Sequence, residues 1–293
     1  MEYVLTILSL IALWTILSAS FNLVIGFAGL LIVAQPLFYA IGAYVTAAAA
    51  MFLGVPVPLA PILGILAALL VSIVLSVPCV RVSGDYLLIA SIGFLLGGLQ
   101  VIRNTEGIGG AGGLTHIPAL FDGPNRTLWF LLVAGIAAAI TLWLMRWLVS
   151  GDFGRAVVAM RDDEEALSGL GRDVLRMKVF LVAVSAGCAG LAGGLYALHF
   201  QFVSPDQFEL LQAAMMLACV IVGGIGSTLG PPIGAAIVIA LPQLITMLEL
   251  PPAMMAAIQG MLFTGLVLAF LFLRPQGLFG SSALVGRSRI EAK

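Results

Sequence analysis

The stretch RAVVAMRDDEEALSGLGRDVLRMK, residues 155–178, holds ten of the 27 charged residues in a chain of 293. Five of the ten are basic and five are acidic, and long apolar runs stand on either side. A charge held at the centre of a bilayer costs roughly 2.5–3.5 kcal/mol, so ten of them there would cost tens of kcal/mol. If the neighbouring segments lie in lipid, this stretch must lie in water, and it therefore fixes how the rest of the chain crosses.

The composition of the whole chain indicates a membrane protein. It is 61% hydrophobic and only 9% charged, whereas an average soluble domain is about 25% charged. Apolar runs recur at about 20 residues, the length that an α-helix needs to cross a bilayer. Helices satisfy their backbone hydrogen bonds internally, so the fold is predicted to be an all-α polytopic bundle. A net charge of −1 offers no basic surface for nucleic acid.

The hydropathy pattern predicts about nine spans in a single transmembrane domain over residues 1–280. They are placed at residues 3–25, 30–52, 58–79, 86–102, 128–149, 178–199, 212–229, 231–249 and 254–273. No basic residue precedes the first apolar run, so we expect a retained span rather than a signal peptide. Between spans we expect an external glycine-rich loop at 103–127 and a charged loop at 150–178, with a tail at 281–293.

The charged loop is predicted to face the cytoplasm, because cytoplasmic loops of membrane proteins carry an excess of Lys and Arg. The end of the chain agrees, since Arg274, Arg287, Arg289 and Lys293 follow the last predicted span. Four predicted spans separate the two basic clusters, and an even number returns the chain to the same side. We therefore expect a multi-pass protein of the cytoplasmic (inner) membrane, with its N-terminus outside and its C-terminus inside.

Two predicted membrane stretches contain residues that interrupt helices. The first holds Asn22, Gly26, Gly29, Gln35 and Pro36, and the second holds Gly223, Gly224, Gly226, Gly230 and Pro231. Broken backbone at membrane depth is tolerated where it is buried in protein or lines a cavity, so a transport pathway near the breaks is one interpretation. Close helix packing is the other, because several of these glycines follow the small-xxx-small spacing. The sequence leaves both open.

Uncharged polar residues inside the predicted spans can also be interpreted in two ways. Asn22, Gln35, Gln100, Gln243 and Gln259 are of this kind. We expect hydrogen bonds between helices from them, with contact to a transported solute as the alternative.

The charged loop contains a predicted short helix around RDDEEALSGLG, residues 161–171. Acidic residues from Asp162 onward would crowd its first turn, where they complement the helix dipole, and Gly171 is a helix stop signal. Ala166, Leu167 and Leu170 would then form one apolar face. A helix this short is not stable alone in water. Either the loop is a solvated connection that fixes topology, or this face docks into a groove on a cytoplasmic partner.

Metal sites and intramembrane catalysis are not predicted. Cys79, Cys188 and Cys219 stand far apart in apolar surroundings, and His116 and His199 lack partners at metal-ligand spacing. No nucleophile and base occur at a recognisable spacing within the spans. We therefore expect a chain that is not itself an enzyme.

We do not expect this chain to supply its own energy source, because of where its lysines and carboxylates lie. The only lysines are Lys178 and Lys293, so the chain contains no G-x-x-x-x-G-K-[ST] phosphate loop. Acidic residues such as Asp85 and Glu249 lie near span ends rather than mid-span, which disfavours a proton relay. If ATP drives a process here, another chain must bind it.

The charged loop resembles a known docking motif. Residues 165–171, EALSGLG, resemble the E-A-A-x-x-x-G core of the loop by which ABC importer permeases contact their ATPase subunits, with Leu167 in place of the second alanine. The later I-x-L-P element of that motif is not visible. Four stretches in order, residues 21–44, 105–118, 159–208 and 221–236, resemble LivM-type branched-chain amino acid permeases. The resemblance runs from about residue 20 to 278.

One departure concerns the first break. The family often has G-Q-x-S-L-G-H there, whereas this chain has GLLIVAQPLF at residues 29–38. Apolar side chains stand here where the family has small and polar ones, so the resemblance indicates the fold more firmly than the identity of the transported solute.

The resemblance implies a permease subunit of an ATP-binding-cassette importer that moves branched-chain amino acids or closely related small polar solutes into the cell. It implies a second homologous permease subunit, two ATPase subunits that bind ATP and Mg, and an extracytoplasmic substrate-binding protein, with no cofactor in this chain. In the docking loop it implies a polar rim formed by Arg155, Arg161, Asp162 and Glu165. The apolar centre would be Ala166 and Leu170, and the turn would be Gly171. The alternative is an ATP-independent secondary transporter or channel for small neutral solutes such as urea or amides.

Overall fold

A computed structural model describes residues 2–79, 84–121, 123, 125–246, 259–261, 264, 265, 268, 270, 272 and 277–279. Within these residues the continuous α-helices are α1 (Glu2–Asn22), α2 (Gln35–Met51), α3 (Ala60–Cys79), α4 (Asp85–Asn104), α5 (Arg126–Ser150), α6 (Asp152–Asp162), α7 (Glu164–Gly169), α8 (Val174–Phe200), α9 (Leu210–Gly223) and α10 (Gly230–Thr246). A π turn, Leu23–Phe27, extends α1, and short strands β1 (Leu114–Thr115) and β2 (Phe202–Val203) pair antiparallel.

The all-α polytopic class is confirmed, and the count of nine spans is not. Six helical segments of the described chain are long and apolar enough to cross a membrane: Glu2–Phe27, Ala60–Val77, Asp85–Asn104, Arg126–Ser150, Val174–Phe200 and Pro205–Gly223. The second predicted span, 30–52, is shortened to the 17 residues of α2 because the chain is not helical until Gln35. Helix α10 also has 17 residues. The predicted span 254–273 lies largely outside the described residues.

The core forms where α8 packs against α1, α2 and α3. Glycines let the backbones touch: a Cβ atom on Gly42 of α2 would lie 2.2 Å from the carbonyl oxygen of Gly190 in α8. One on Gly193 would lie 2.1 Å from the carbonyl oxygen of Tyr39, and one on Gly64 of α3 would lie 2.7 Å from that of Gly42. Lipid gives helices no hydrophobic reason to associate, so such van der Waals contact is what holds them together.

Replacing Gly42 with valine is expected to lower the free energy of unfolding by at least about 3 kcal/mol, because the new atoms meet backbone that no side-chain rotation can move. Thermal unfolding of the detergent-solubilised protein measures this. Gly135→Val is the matched control, since a Cβ atom on that glycine of α5 meets nothing within 4 Å. Equal unfolding temperatures for the two variants would contradict the central role of the α2–α8 contact.

The two predicted loops lie at opposite ends of the bundle. Helix α5 begins next to the glycine-rich segment and ends at α6, and α8 returns from the charged segment to β2, which pairs with β1. We call these the charged end, with α6 and α7, and the strand end, with β1 and β2. Tyr3 donates a hydrogen bond to Gln243, 2.8 Å away, so α1 and α10 run side by side from there. The cytoplasmic assignment of the charged end stays a prediction.

Candidate functional site

The charged segment folds as two helices rather than the predicted single helix over 161–171. Helix α6 stops at Asp162, and Asp163 adopts an extended conformation with φ −155°. Its carboxylate then accepts a hydrogen bond from the Ala166 amide at 2.9 Å and so caps α7. Gly171 has φ +82°, the left-handed conformation, which confirms it as the stop signal after α7.

Helix α7 buries Leu167, and Leu170, the residue that follows its last turn, is exposed. Leu167 is only 5% exposed and packs into the core, whereas Leu170 is 82% exposed. Ala166 is exposed as well. The prediction that all three share one face was wrong for Leu167, because the helix turns that side chain toward the protein. Ala166 and Leu170 form the remaining apolar surface, which points away from the chain.

Three charged residues around this surface are exposed. Asp162 and Glu165 are exposed, and so is Arg155, which pairs with Asp152 one turn earlier in α6. None of these residues is held in the interior, so the predicted polar rim is available to a partner.

An ion pair between a buried lysine and a half-exposed glutamate joins α7 to α8. Lys178 at the start of α8 is 3% exposed, and its Nζ lies 2.6 Å from both carboxylate oxygens of Glu164. Sequence reasoning missed this pair because a separation of 14 residues across a turn matches no helical spacing. The available signal was that Lys178 is the only lysine before the C-terminal residue. The pair links α7 directly to α8.

Arg161, at the end of α6, reaches the first break instead of the rim. Its guanidinium donates a hydrogen bond to the carbonyl oxygen of Gly26 in the π turn. Its aliphatic stem covers Gly29, where φ is +69° and an added Cβ atom would lie 2.7 Å from Arg161 Cγ. A glycine is therefore needed at position 29 for both its backbone conformation and the space.

The first break ends in a buried polar junction. Helix α2 begins at Gln35 with Pro36 in its first turn, where a missing amide hydrogen costs nothing. Gln35 Nε2 donates to the hydroxyl oxygens of Ser20 at 2.9 Å and of Ser185 at 3.0 Å. The predicted interhelical hydrogen bonding of Gln35 is confirmed, and it joins α1, α2 and α8.

The two breaks touch each other through Asn22. Its Nδ2 donates to the carbonyl oxygen of Ser227 at 2.7 Å, and its Oδ1 accepts from the Gly226 amide at 2.9 Å. A Cβ atom on Gly26 would lie 2.7 Å from the Gly226 nitrogen. Sequence reasoning identified both breaks and did not predict their contact, because no local pattern relates positions about 200 residues apart.

The second break is also closely packed. A Cβ atom on Gly223 would lie 2.2 Å from the carbonyl oxygen of Gly230, and Gly224 and Gly226 have positive φ angles of 117° and 73°. The Pro231 carbonyl oxygen accepts a hydrogen bond from the Ser18 hydroxyl at 3.2 Å. Close packing of these glycines is therefore observed, and their part in a pathway stays a prediction.

The same elements line a cavity with both polar and apolar walls at the charged end. It has a volume of about 180 Å³ and is lined by residues 28–31 of the first break together with Arg161, Glu164 and Lys178. The break thus faces the charged helices across this space. Among the described residues, no cluster of three or more His, Cys, Asp or Glu side chains could hold a metal ion.

Known proteins give a consistent picture of what this chain is similar to. Residues 3–267 match the family model of the permease component of the branched-chain amino acid transport system. The chain is 31% identical over 300 residues to the high-affinity branched-chain amino acid transport system permease protein LivM of Escherichia coli, which covers 93% of this chain and 69% of that protein.

More distant relatives include archaeal and other import proteins. The probable branched-chain amino acid transport permease protein LivM of Methanocaldococcus jannaschii is 24% identical over 238 residues, with 78% of this chain and 69% of that protein covered. The autoinducer 2 import system permease protein LsrC of Salmonella typhimurium is 26% identical over 162 residues, with 53% and 45% covered. No solved structure matches the chain.

Proposed function

This chain belongs to the family of branched-chain amino acid transport permease components, and we propose that it carries branched-chain amino acids, or closely related small polar solutes, into the cell as one subunit of an ATP-driven importer. In this proposal it pairs with a second homologous permease. Two ATPase subunits bind the ATP and Mg, and an extracytoplasmic binding protein delivers the solute.

The observation that carries the proposal is the pair of opposite faces on the charged segment. One face, Ala166 and Leu170 on α7, is exposed and apolar. The other is joined to the membrane part through Arg161 at the first break and Lys178 at α8. Because one face is exposed to a partner and the other contacts the membrane helices, the charged segment can transmit a displacement from the partner to those helices.

The docking step uses the exposed face. A short apolar patch surrounded by charge suits a groove on a water-soluble partner, with the apolar centre supplying most of the binding energy. Arg155, Asp162 and Glu165 would form the rim, where each ion pair contributes about 0–1 kcal/mol. The partner must supply the nucleotide site, because this chain lacks the lysine-containing phosphate loop.

The transmission step uses the attached face. Closure of the ATPase subunits would displace α6 and α7 together, and Arg161 would pull on the π turn at Gly26. The contact of Asn22 with the Gly226 amide would extend the displacement to the second break. The charged end would face the cytoplasm and the strand end the outside, so the movement would open the path alternately to the two sides.

Reconstitution tests the proposal. Proteoliposomes containing this chain, its homologous permease and the ATPases are supplied with the binding protein and radiolabelled leucine, with urea and acetamide in parallel. We expect leucine uptake that requires ATP inside the vesicle and stops without the ATPases. Uptake by this chain alone, driven by a proton gradient, would overturn the proposal in favour of a secondary transporter.

A further inference from the structure

A second cavity lies at the strand end, away from the charged helices. It has a volume of about 360 Å³ between α1, α2, α8 and the start of α9, and its walls include Trp14, Tyr39, Tyr196 and Phe200. Two carboxamides, Gln207 and Gln212, complete the set of polar lining residues. The volume is within the range of about 300–1,000 Å³ in which proteins hold small molecules. We propose that this cavity is a transient binding site for a zwitterionic amino acid with an aliphatic side chain.

The aromatic walls are held in place before any ligand arrives. The rings of Tyr39 and Tyr196 meet edge to face with centroids 5.7 Å apart, and those of Tyr196 and Phe200 are 4.6 Å apart. Phe208, which is fully buried, supports Tyr39 from behind at 4.9 Å. A rigid apolar wall of this kind binds an aliphatic side chain without first losing conformational freedom.

The polar groups of the cavity have unused hydrogen-bonding capacity. Tyr39 is only 3% exposed, and among the described residues its hydroxyl has no hydrogen-bond partner. Gln207 Oε1 accepts from the Ser204 amide at 3.3 Å, while no described residue pairs with the Gln212 carboxamide. Phenol and carboxamide groups can both donate and accept, so they suit an α-carboxylate and an α-ammonium group together.

The absence of charge among the described lining residues sets the selectivity. A solute with a charged side chain would lose its hydration in this cavity and find no opposite charge, which is costly. Neutral amino acids carry only the paired charges of the zwitterion. Without an ion pair the site binds weakly, as a carrier must if it is to release what it receives.

The position suits the proposed function, on which this inference rests. The strand end is the end proposed to face outside, where solute would arrive from the binding protein. Helices α1, α2 and α8 run from this cavity to the junction of Gln35, Ser20 and Ser185, which lies nearer the charged end. An amino acid leaving the cavity would meet the elements that the breaks can move.

The test compares variants in the reconstituted importer with its partner subunits. The double variant Tyr39→Phe with Gln212→Ala removes two polar groups and keeps the aromatic wall. We expect the initial rate of leucine uptake at low leucine concentration to fall about tenfold, because each neutral hydrogen bond is worth a factor of about 3 to 10. We expect the preference for leucine over alanine to stay as in the wild type, because both amino acids carry the α-carboxylate and α-ammonium groups that the two polar residues would hold, and the aromatic wall is unchanged.

Tyr44→Phe is the matched control, since the Tyr44 hydroxyl bonds to the Val203 carbonyl oxygen, 3.5 Å away, and does not line the cavity. Its uptake rate and leucine-to-alanine preference are expected to match the wild type. Tyr39→Phe alone removes one oxygen atom and is the second test, with an expected fall of about threefold, should the double variant not assemble.

The outcomes separate this inference from the proposed function. Wild-type uptake rates in both cavity variants would overturn the binding site and leave the importer function standing. A wild-type protein that shows no ATP-driven leucine uptake would instead overturn the proposed function, and the inference with it.

Discussion

Replacing Leu170 with aspartate is expected to abolish association with the ATPase subunits while the chain still inserts and folds. Leu170 is 82% exposed, so the substitution disturbs no packing within the chain. In the complex the same position lies at the apolar centre, where truncating a hot-spot residue costs about 2–4 kcal/mol. A carboxylate buried there without a partner costs about 3–5 kcal/mol, a loss of at least about a hundredfold in affinity.

Copurification of the ATPase subunits with tagged permease measures this effect, and monodisperse size-exclusion behaviour checks the folding. Ser168→Asp is the matched control, because it adds the same charge at an exposed position on the opposite side of α7 from Leu170. We expect the control to retain the ATPases. Normal copurification of the ATPase subunits with Leu170→Asp would contradict the proposal that α7 is the docking element.

Replacing Arg161 with alanine is expected to uncouple ATP hydrolysis from transport. The guanidinium of Arg161 holds the Gly26 carbonyl oxygen, and its stem covers Gly29, so α6 and the first break move together. Without it the ATPase subunits would still bind α7 and hydrolyse ATP, and their motion would no longer reach the break. We expect leucine transported per ATP hydrolysed to fall at least about tenfold, since a hydrogen bond from a charged donor contributes about 1.5–3 kcal/mol.

Simultaneous measurement of phosphate release and leucine uptake in proteoliposomes gives the coupling ratio. Arg176→Ala removes the same charge at an exposed position at the start of α8, where Arg176 pairs with Asp173, and is expected to leave the ratio unchanged. Gly29→Ala disturbs the same contact from the side of the first break, because its Cβ atom would lie 2.7 Å from Arg161 Cγ. It is expected to lower the coupling ratio as well. A normal ratio in Arg161→Ala would show that the motion travels by another route.

Much of the fold could be predicted because its causes are local in the chain. Apolar runs of membrane length produced predictions that match the positions of α1, α3, α4, α5 and α8. Gly171 was correctly identified as a helix stop, since the left-handed conformation at a helix end favours glycine over any other residue. The first break was found from Gly26, Gly29 and Pro36, because glycine and proline weaken or end helices through their own backbone preferences.

The sequence indicated which segment forms the candidate site, but it did not predict the contacts between the residues of that site. The sequence singled out the charged loop as the docking element, which stays a prediction, and it assigned Arg161 to the rim, whereas Arg161 lies against the π turn. Leu167 was grouped with Leu170, although Leu167 is buried and Leu170 is exposed. The start of α2 at Gln35 shortened a predicted span, because the hydropathy of residues 30–34 does not show that their backbone is non-helical.

The sequence by itself determined that the chain is a membrane protein and predicted that its charged segment, residues 155–178, lies outside the lipid. Both follow from the free-energy cost of placing a charge in lipid, which can be counted for each segment separately. Only the tertiary structure decided that Arg161 holds Gly26 across 135 residues and that Asn22 joins the two breaks across more than 200. Such contacts follow from how closely glycine-bearing helices approach one another, and that distance is a property of the packed bundle rather than of any stretch of chain.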